Sequence, residues 1–152
     1  MPPITVVVAD HEKASRSTCV SLLQPLKDVA VVGKAASAPE VALAARLKPS
    51  ILLLDLALSG ANRTALLPMI RRESPRTKVI LLTRRASEQR ILDALAQGAP
   101  GYLEKTSLRA FLPKAVRVVA AGEAWVPRRM IAKIVDRLVT LNAPAQGAPA
   151  PG

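Results

Sequence analysis

The sequence predicts a doubly wound α/β sandwich on a five-stranded parallel sheet. Three observations carry this: short runs of Val, Ile and Leu recur along the chain, stretches with apolar residues at helical spacing separate them, and the joining segments are a few residues long. Continuous apolar runs mark strands covered on both faces. The right-handed crossover rule then leaves few topologies.

The first strand is Ile4 to Ala9, an almost unbroken β-branched run. Helical spacing from His11 to Leu26 follows, with Ala14, Thr18, Leu22, Leu23 and Leu26 as its apolar side, until Pro25 disrupts the last turn. Val29 to Val32 is the second strand. Ser37 caps a second helix, Ala38 to Leu47, with Pro39 in its first turn. The third strand is Ile51 to Asp55, and a loop through Ser59-Gly60-Ala61-Asn62 leads to helix Thr64 to Glu73. Strand Lys78 to Thr83 and helix Ser87 to Gln97 come next, Gly98 ending the helix. Tyr102-Leu103 is a short fifth strand, and Ser107 caps a helix running to Ala121. Past the turn Gly122 to Pro127, an amphipathic helix spans Arg128 to Leu141, with Met130, Ile131, Ile134, Val135, Leu138 and Leu141 on its apolar side. Residues 142–152, nearly all Ala, Pro, Gly and Gln, read as a disordered tail.

A chain of 152 residues suits one domain with a single core. Trp125, Tyr102 and Phe111 are its only aromatics, so that core must be aliphatic. No apolar stretch approaches the roughly 20 residues that span a bilayer, and Met1-Pro2-Pro3 running into a strand leaves no signal segment, so the reading is cytoplasmic, without a membrane partner. Cys19 is alone, which excludes an internal disulfide and a multi-cysteine metal site; it reads as a small buried apolar side chain. The net charge of +11 attracts polyanions in general, but the Arg doublets are scattered and no aromatics interleave them, which favours a solvated cationic surface over a nucleic-acid site. There is no GxGxxG turn, no P-loop, and only one His, which argues against an ordinary metabolic enzyme.

Function is written at the strand ends. Asp10, Asp55, Thr83 and Lys105 each stand at or just past the carboxyl end of a strand, and in an open parallel sheet such residues converge on one crevice. Two carboxylates, a hydroxyl and an ammonium are the parts needed to hold a divalent cation and a phosphoryl group. His11 has no second His or Cys nearby, and reads as a solvated or capping residue rather than a metal ligand; Glu12 reads as a residue of the first helical turn.

The ordered set of segments carries a resemblance. Ala9-Asp10-His11-Glu12, Val31-Val32-Gly33, Leu53-Leu54-Asp55-Leu56, Leu81-Leu82-Thr83 and Gly98-Ala99-Pro100-Gly101-Tyr102-Leu103-Glu104-Lys105 together resemble a response-regulator receiver domain. The type is the one that precedes a LuxR/NarL-type helix-turn-helix, and Ala120-Ala121-Gly122-Glu123-Ala124-Trp125 is similar to the stretch joining such receivers to their DNA-binding half. The resemblance implies a CheY-like, flavodoxin-like (βα)5 fold with strand order 2-1-3-4-5 plus an extra C-terminal helix. It also implies a receiver over residues 1–122, a linker turn and helix over 123–141, and a tail over 142–152. A histidine kinase or small phosphodonor would phosphorylate Asp55. Asp10, Asp55 and the backbone carbonyl of Ala57 would hold Mg²⁺, Lys105 would pair with the phosphoryl group, and Thr83 would donate its hydroxyl to it and release Tyr102 as the switch. The only catalysis expected is self-phosphoryl transfer and autodephosphorylation. A homodimer, and control of transcription through a DNA-binding output domain absent from this chain, complete the expectation.

Three positions depart from the family pattern. Ala9 stands where a second acidic residue is usual, Ser59 replaces a stiffening Pro, and Arg84 replaces a small residue. A guanidinium at about 5 Å from Asp55 would supply roughly 3 kcal/mol of attraction at an effective dielectric near 20. Arg84 therefore either substitutes for part of the metal's charge or points to solvent, and Mg²⁺ binding is expected to be weak. An atypical but competent receiver is the leading reading; the alternative is a phosphorylation-independent pseudo-receiver acting as an interaction or dimerisation module.

Overall fold

The computed structural model describes residues 2–58, 63–84 and 86–142. Five parallel strands, β1 (Ile4–Ala9), β2 (Val29–Ala35), β3 (Ile51–Asp55), β4 (Lys78–Thr83) and β5 (Gly101–Glu104), lie in the order β2-β1-β3-β4-β5. Among the described residues six α-helices accompany them: α1 (Lys13–Leu23), α2 (Ala38–Ala45), α3 (Arg63–Glu73), α4 (Glu88–Ala96), α5 (Leu108–Ala120) and α6 (Arg128–Asn142). The expected doubly wound architecture, its strand order and the extra C-terminal helix are all present. Ser59 and the rest of its loop, Arg85, and the tail from residue 143 lie outside the described residues.

The period of two along each strand divides the core. Val6, Val8, Ile51, Leu53, Ile80 and Leu82 point to one face, where Cys19 and Leu23 of α1 and Leu112 and Val116 of α5 cover them. Val7, Ala9, Leu52, Leu54, Val79 and Leu81 point to the other, under α2, α3 and α4. Every residue of β3 is buried, as a central parallel strand requires.

Several boundaries moved for identifiable reasons. Asp10 Oδ1 accepts the backbone N–H of Glu12 at 2.8 Å; this local turn delays α1 to Lys13 and leaves Glu12 at its N-cap, not on its first turn. The inward stripe of α1 is accordingly Ser15, Cys19 and Leu23 rather than Ala14, Thr18 and Leu22. β2 runs past Gly33 because Gly33, Lys34 and Ala35 pair with Val7, Val8 and Ala9, ladder bonds that outweigh the weak strand preference of glycine. α2 stops at Ala45, after which Leu47 and Lys48 make i→i−3 bonds and Lys48 takes a left-handed φ of 50°. Ser37 caps α2 as expected, its Oγ accepting from the Glu40 N–H at 3.4 Å, and Gly98 closes α4 at φ 108°. Ser107, by contrast, makes no side-chain cap: a single 3-10 turn, Lys105–Ser107, leads into α5 instead.

The segment before α6 is stitched to the sheet. Trp125 donates its N–H to Pro100 O and accepts from the Tyr102 N–H, both at 2.9 Å, so it covers the open edge of β5. α6 then lies on α4, with Met130 buried, Ile134 packed on the core, Lys133 Nζ 2.6 Å from Glu88 Oε1, and Arg137 paired with Asp93. Ile131, Val135, Leu138 and Leu141 of its expected apolar side stay exposed, because α4 offers only a narrow seam. Asn142 continues the helix rather than opening the tail, its Nδ2 donating to Leu138 O.

Lys133 holds the Glu88 carboxyl below its ordinary value of 4.5. A carboxyl depressed on folding contributes its attachment fully above that value and loses it as the pH falls through the folded pKa. Hydrogen exchange in α6 should therefore accelerate relative to α5 below pH 4.5, and Glu88→Gln should produce that acceleration already at neutral pH; identical α6 protection in the variant would contradict the clasp. Burial pushes the Cys19 thiol up to about 12. We expect no reaction with a thiol reagent at pH 8 except at the rate of unfolding, measured by following labelling against denaturant.

Candidate functional site

The sheet's carboxyl edge gathers the residues singled out from the sequence. Asp10 follows the last residue of β1, Asp55 ends β3, Thr83 ends β4, and Lys105 follows β5. Asp10 is fully buried and Asp55 is 2% exposed. The Lys105 ammonium lies 2.9 Å from Asp10 Oδ1 and 3.2 Å from Asp55 Oδ2, so the predicted nucleophile, its carboxylate neighbour and the predicted cation are in direct contact. Asp55 and Lys105 line a cleft of about 200 Å³ that also takes in Ala57, Thr83 and Arg84.

Burial alone would raise the Asp55 carboxyl, but a hydrogen bond from His11, the Ala57 N–H at 3.0 Å and the Lys105 charge outweigh it and hold the group below its ordinary value. Asp10 goes the other way: burial raises it, and Asp55 adds to the rise against the opposing pull of Lys105 and the Glu12 N–H. Lys105 would be lowered by burial, yet its hydrogen bonds to Glu12 and Asp10 raise it, so it stays an ammonium. The result is an ionised Asp55 beside a permanent cation.

Asp10 Oδ2 is buried and has no hydrogen-bond partner among the described residues. An orphaned anionic oxygen next to a second carboxylate is an arrangement that a hard divalent cation satisfies. Mg²⁺ therefore fits the donor set. Ala9 contributes nothing to it, its methyl being buried in the apolar cluster beneath α2 and α3.

Four side chains sit differently from the sequence-based expectation. His11 is not a bystander or a cap: although 51% exposed, its Nδ1 contacts Asp55 Oδ2, and its imidazole, Asp10 and Asp55 could share one metal ion. Glu12 reaches round to Lys105, which donates to its Oε1 at 2.7 Å. Arg84, half exposed, bonds within the rim instead of to Asp55; Nε donates to Glu12 Oε1 at 3.0 Å and an outer nitrogen to Ser15 Oγ at 3.3 Å. Thr83 donates its hydroxyl to Tyr102 Oη at 3.1 Å, with the Tyr102 ring buried, so the two residues expected to form the switch are joined to each other rather than to Asp55. Glu12 was findable: an N-cap residue three positions past a strand end must lie at the rim, and only the direction of its side chain was open. Arg16, which donates to Asp10 O at 2.7 Å and steadies the loop, left no such signal.

Residues 6–117 match the response regulator receiver domain. The chain belongs to that family. Among curated relatives the receiver is 30% identical over 136 residues to the transcriptional regulatory protein LiaR of Bacillus subtilis (strain 168), covering 89% of this chain and 64% of LiaR. It is 29% identical over 136 residues to the response regulator protein VraR of Staphylococcus aureus (strain Mu3 / ATCC 700698), covering 89% of this chain and 65% of VraR. This chain thus spans a little under two thirds of the length of these relatives. Among solved structures, the receiver domain of the putative response regulator NarL from Mycobacterium tuberculosis superposes with a TM-score of 0.73 at 29% identity, over 81% of this chain and 100% of that one. A LuxR-family two-component response regulator from Aurantimonas sp. SI85-9A1 does so with a TM-score of 0.75 at 25% identity, over 90% of this chain and 99% of that one. The receiver is therefore a homologue of LuxR/NarL-type response regulators, a family that is generally non-enzymatic and typically binds Mg²⁺ at an acidic pocket. No helix among its described residues is long and apolar enough to cross a membrane.

Proposed function

We propose that this receiver accepts a phosphoryl group on Asp55 from a histidine kinase and relays that event to a DNA-binding output domain that controls transcription. The observation that carries it is the contact of Lys105 with both Asp55 and Asp10 at the sheet edge. An Asp55 oxygen attacks phosphorus; the new P–O bond forms as the bond to the donor's imidazole nitrogen breaks, and that imidazole leaves with the electron pair and is neutralised by a proton. Lys105 holds Asp55 in place and stands ready for the charge on the transferring group's oxygens. Asp10, Asp55 and the Ala57 carbonyl would hold Mg²⁺, which when bound would neutralise part of that charge. Once a phosphoryl oxygen competes for the Thr83 hydroxyl, the Thr83–Tyr102 bond gives way and the β5 face carrying Trp125 is re-formed. Return to the resting state by attack of water on the aspartyl phosphate, and homodimerisation of the whole regulator, belong to the same proposal.

A phosphorylation-independent interaction module is the second reading, favoured by the hold of Glu12 on Lys105. Incubation with acetyl phosphate in Mg²⁺, followed by intact-mass measurement, decides between them. The acceptor reading expects one phosphoryl adduct that vanishes in Asp55→Asn; no adduct in the parent protein would select the interaction module.

A further inference from the structure

The cleft beside Asp55 contains a carboxylate that the proposed transfer does not use. Glu12 occupies the N-cap of α1 yet makes no cap hydrogen bond, its side chain turning instead into the cleft. A single oxygen, Oε1, accepts from Lys105 Nζ at 2.7 Å, from Arg84 Nε at 3.0 Å and from Ser15 Oγ at 3.5 Å. These cations, Lys105 first, hold the Glu12 carboxyl down to about 2. Arg84 stands directly after Thr83 at the end of β4, half exposed, so its guanidinium can exchange partners without disturbing the core.

A phosphoryl group on Asp55 would carry its oxygens to the ammonium that already touches Asp55 Oδ2 at 3.2 Å. That ammonium is shared with Glu12, and Arg84 is tied to the same oxygen. A guanidinium presents several N–H donors in a rigid fork suited to phosphate oxygens, whereas a carboxylate offers those cations only a single negative charge. We propose that Arg84 is a second cationic ligand of the phosphoryl group, and that Glu12 is its internal stand-in, an anion seated on Arg84 and Lys105 until the phosphoryl oxygens displace it. The inference rests on the reading of Asp55 as acceptor. It assigns the acidic residue missing at Ala9 no direct substitute; Glu12 serves the cations, not the metal. Glu12 is thus a restraining residue and Arg84 a binding one.

Titration of the whole chain with beryllofluoride in Mg²⁺, followed by ¹⁹F NMR, tests this in the parent protein, Glu12→Gln, Arg84→Gln and the double variant. Glu12→Gln is expected to bind about tenfold more tightly, the equivalent of one charge-assisted hydrogen bond or ~1.4 kcal/mol. In the Arg84→Gln background the same substitution should gain clearly less than in the parent, about threefold, because only the hold of Glu12 on Lys105 is then left to release. A gain that persists undiminished without Arg84 would overturn the proposal, showing that Glu12 acts through its charge alone, and so would weaker binding in Glu12→Gln. Failure of the acceptor reading looks different: no bound fluoride signal in any variant, rather than a changed ratio among them.

Discussion

Replacing Lys105 by Met is expected to cost about 3–5 kcal/mol of stability at neutral pH, a large part of what a domain of this size possesses. The ammonium is the common partner of Asp10, Glu12 and Asp55, and two of those carboxylates are buried. Removing it leaves their charges together in a region from which water is largely excluded, and desolvation then dominates. Glu12 retains Arg84 and can swing toward solvent, so the burden falls on Asp10 and Asp55. Urea unfolding of the variant with and without Mg²⁺ checks this, since a divalent cation should return part of the loss. A change below about 1 kcal/mol would mean the ion pairs are no more valuable than surface ones.

Asp10→Asn is expected to act in the opposite direction on stability while removing the metal response. The folded protein keeps an anionic oxygen of Asp10 buried and unpartnered beside Asp55, and this raises the Asp10 carboxyl above its ordinary value. A carboxyl raised on folding is a net burden once the unfolded chain has ionised, so the cost is present across neutral pH and is relieved as acid protonates the group. An amide retains an oxygen for Lys105 and the Glu12 N–H, and adds an N–H that can donate toward Asp55. Removing an unsatisfied buried group of this kind is worth about 1–3 kcal/mol. Thermal melts should thus show a higher midpoint for the variant in metal-free buffer and no further rise with Mg²⁺. A lower midpoint, or an undiminished Mg²⁺ shift, would contradict the proposal that Asp10 holds the metal.

Much of the edge that gathers these groups is legible in the sequence. Unbroken apolar runs ending in Asp55 and Thr83 place those residues at strand termini, because a strand buried on both faces must end where the first charge or hydroxyl appears. Alternation within Ile4–Ala9 likewise assigns Val6 and Val8 to one core and Val7 and Ala9 to the other. Cys19, expected as a small buried apolar side chain, and Met130, expected on the apolar side of its helix, are both buried, although the inward side of α1 lies one residue on from the expected one.

What the chain's order determined by itself is the βα alternation, a short set of possible strand orders from which the family resemblance selects one, and the set of polar groups delivered to one rim. These follow from local periodicity and chirality, which each segment carries within its own residues. Tertiary structure alone decided which of those groups touch. Lys105 is 95 positions from Asp10 and 93 from Glu12, and Arg84 is 72 from Glu12; whether such side chains pair depends on a few ångströms of loop placement and on where each long side chain finds its counter-charge. That competition is settled by distance and desolvation in the assembled cleft, and no spacing along the sequence encodes it.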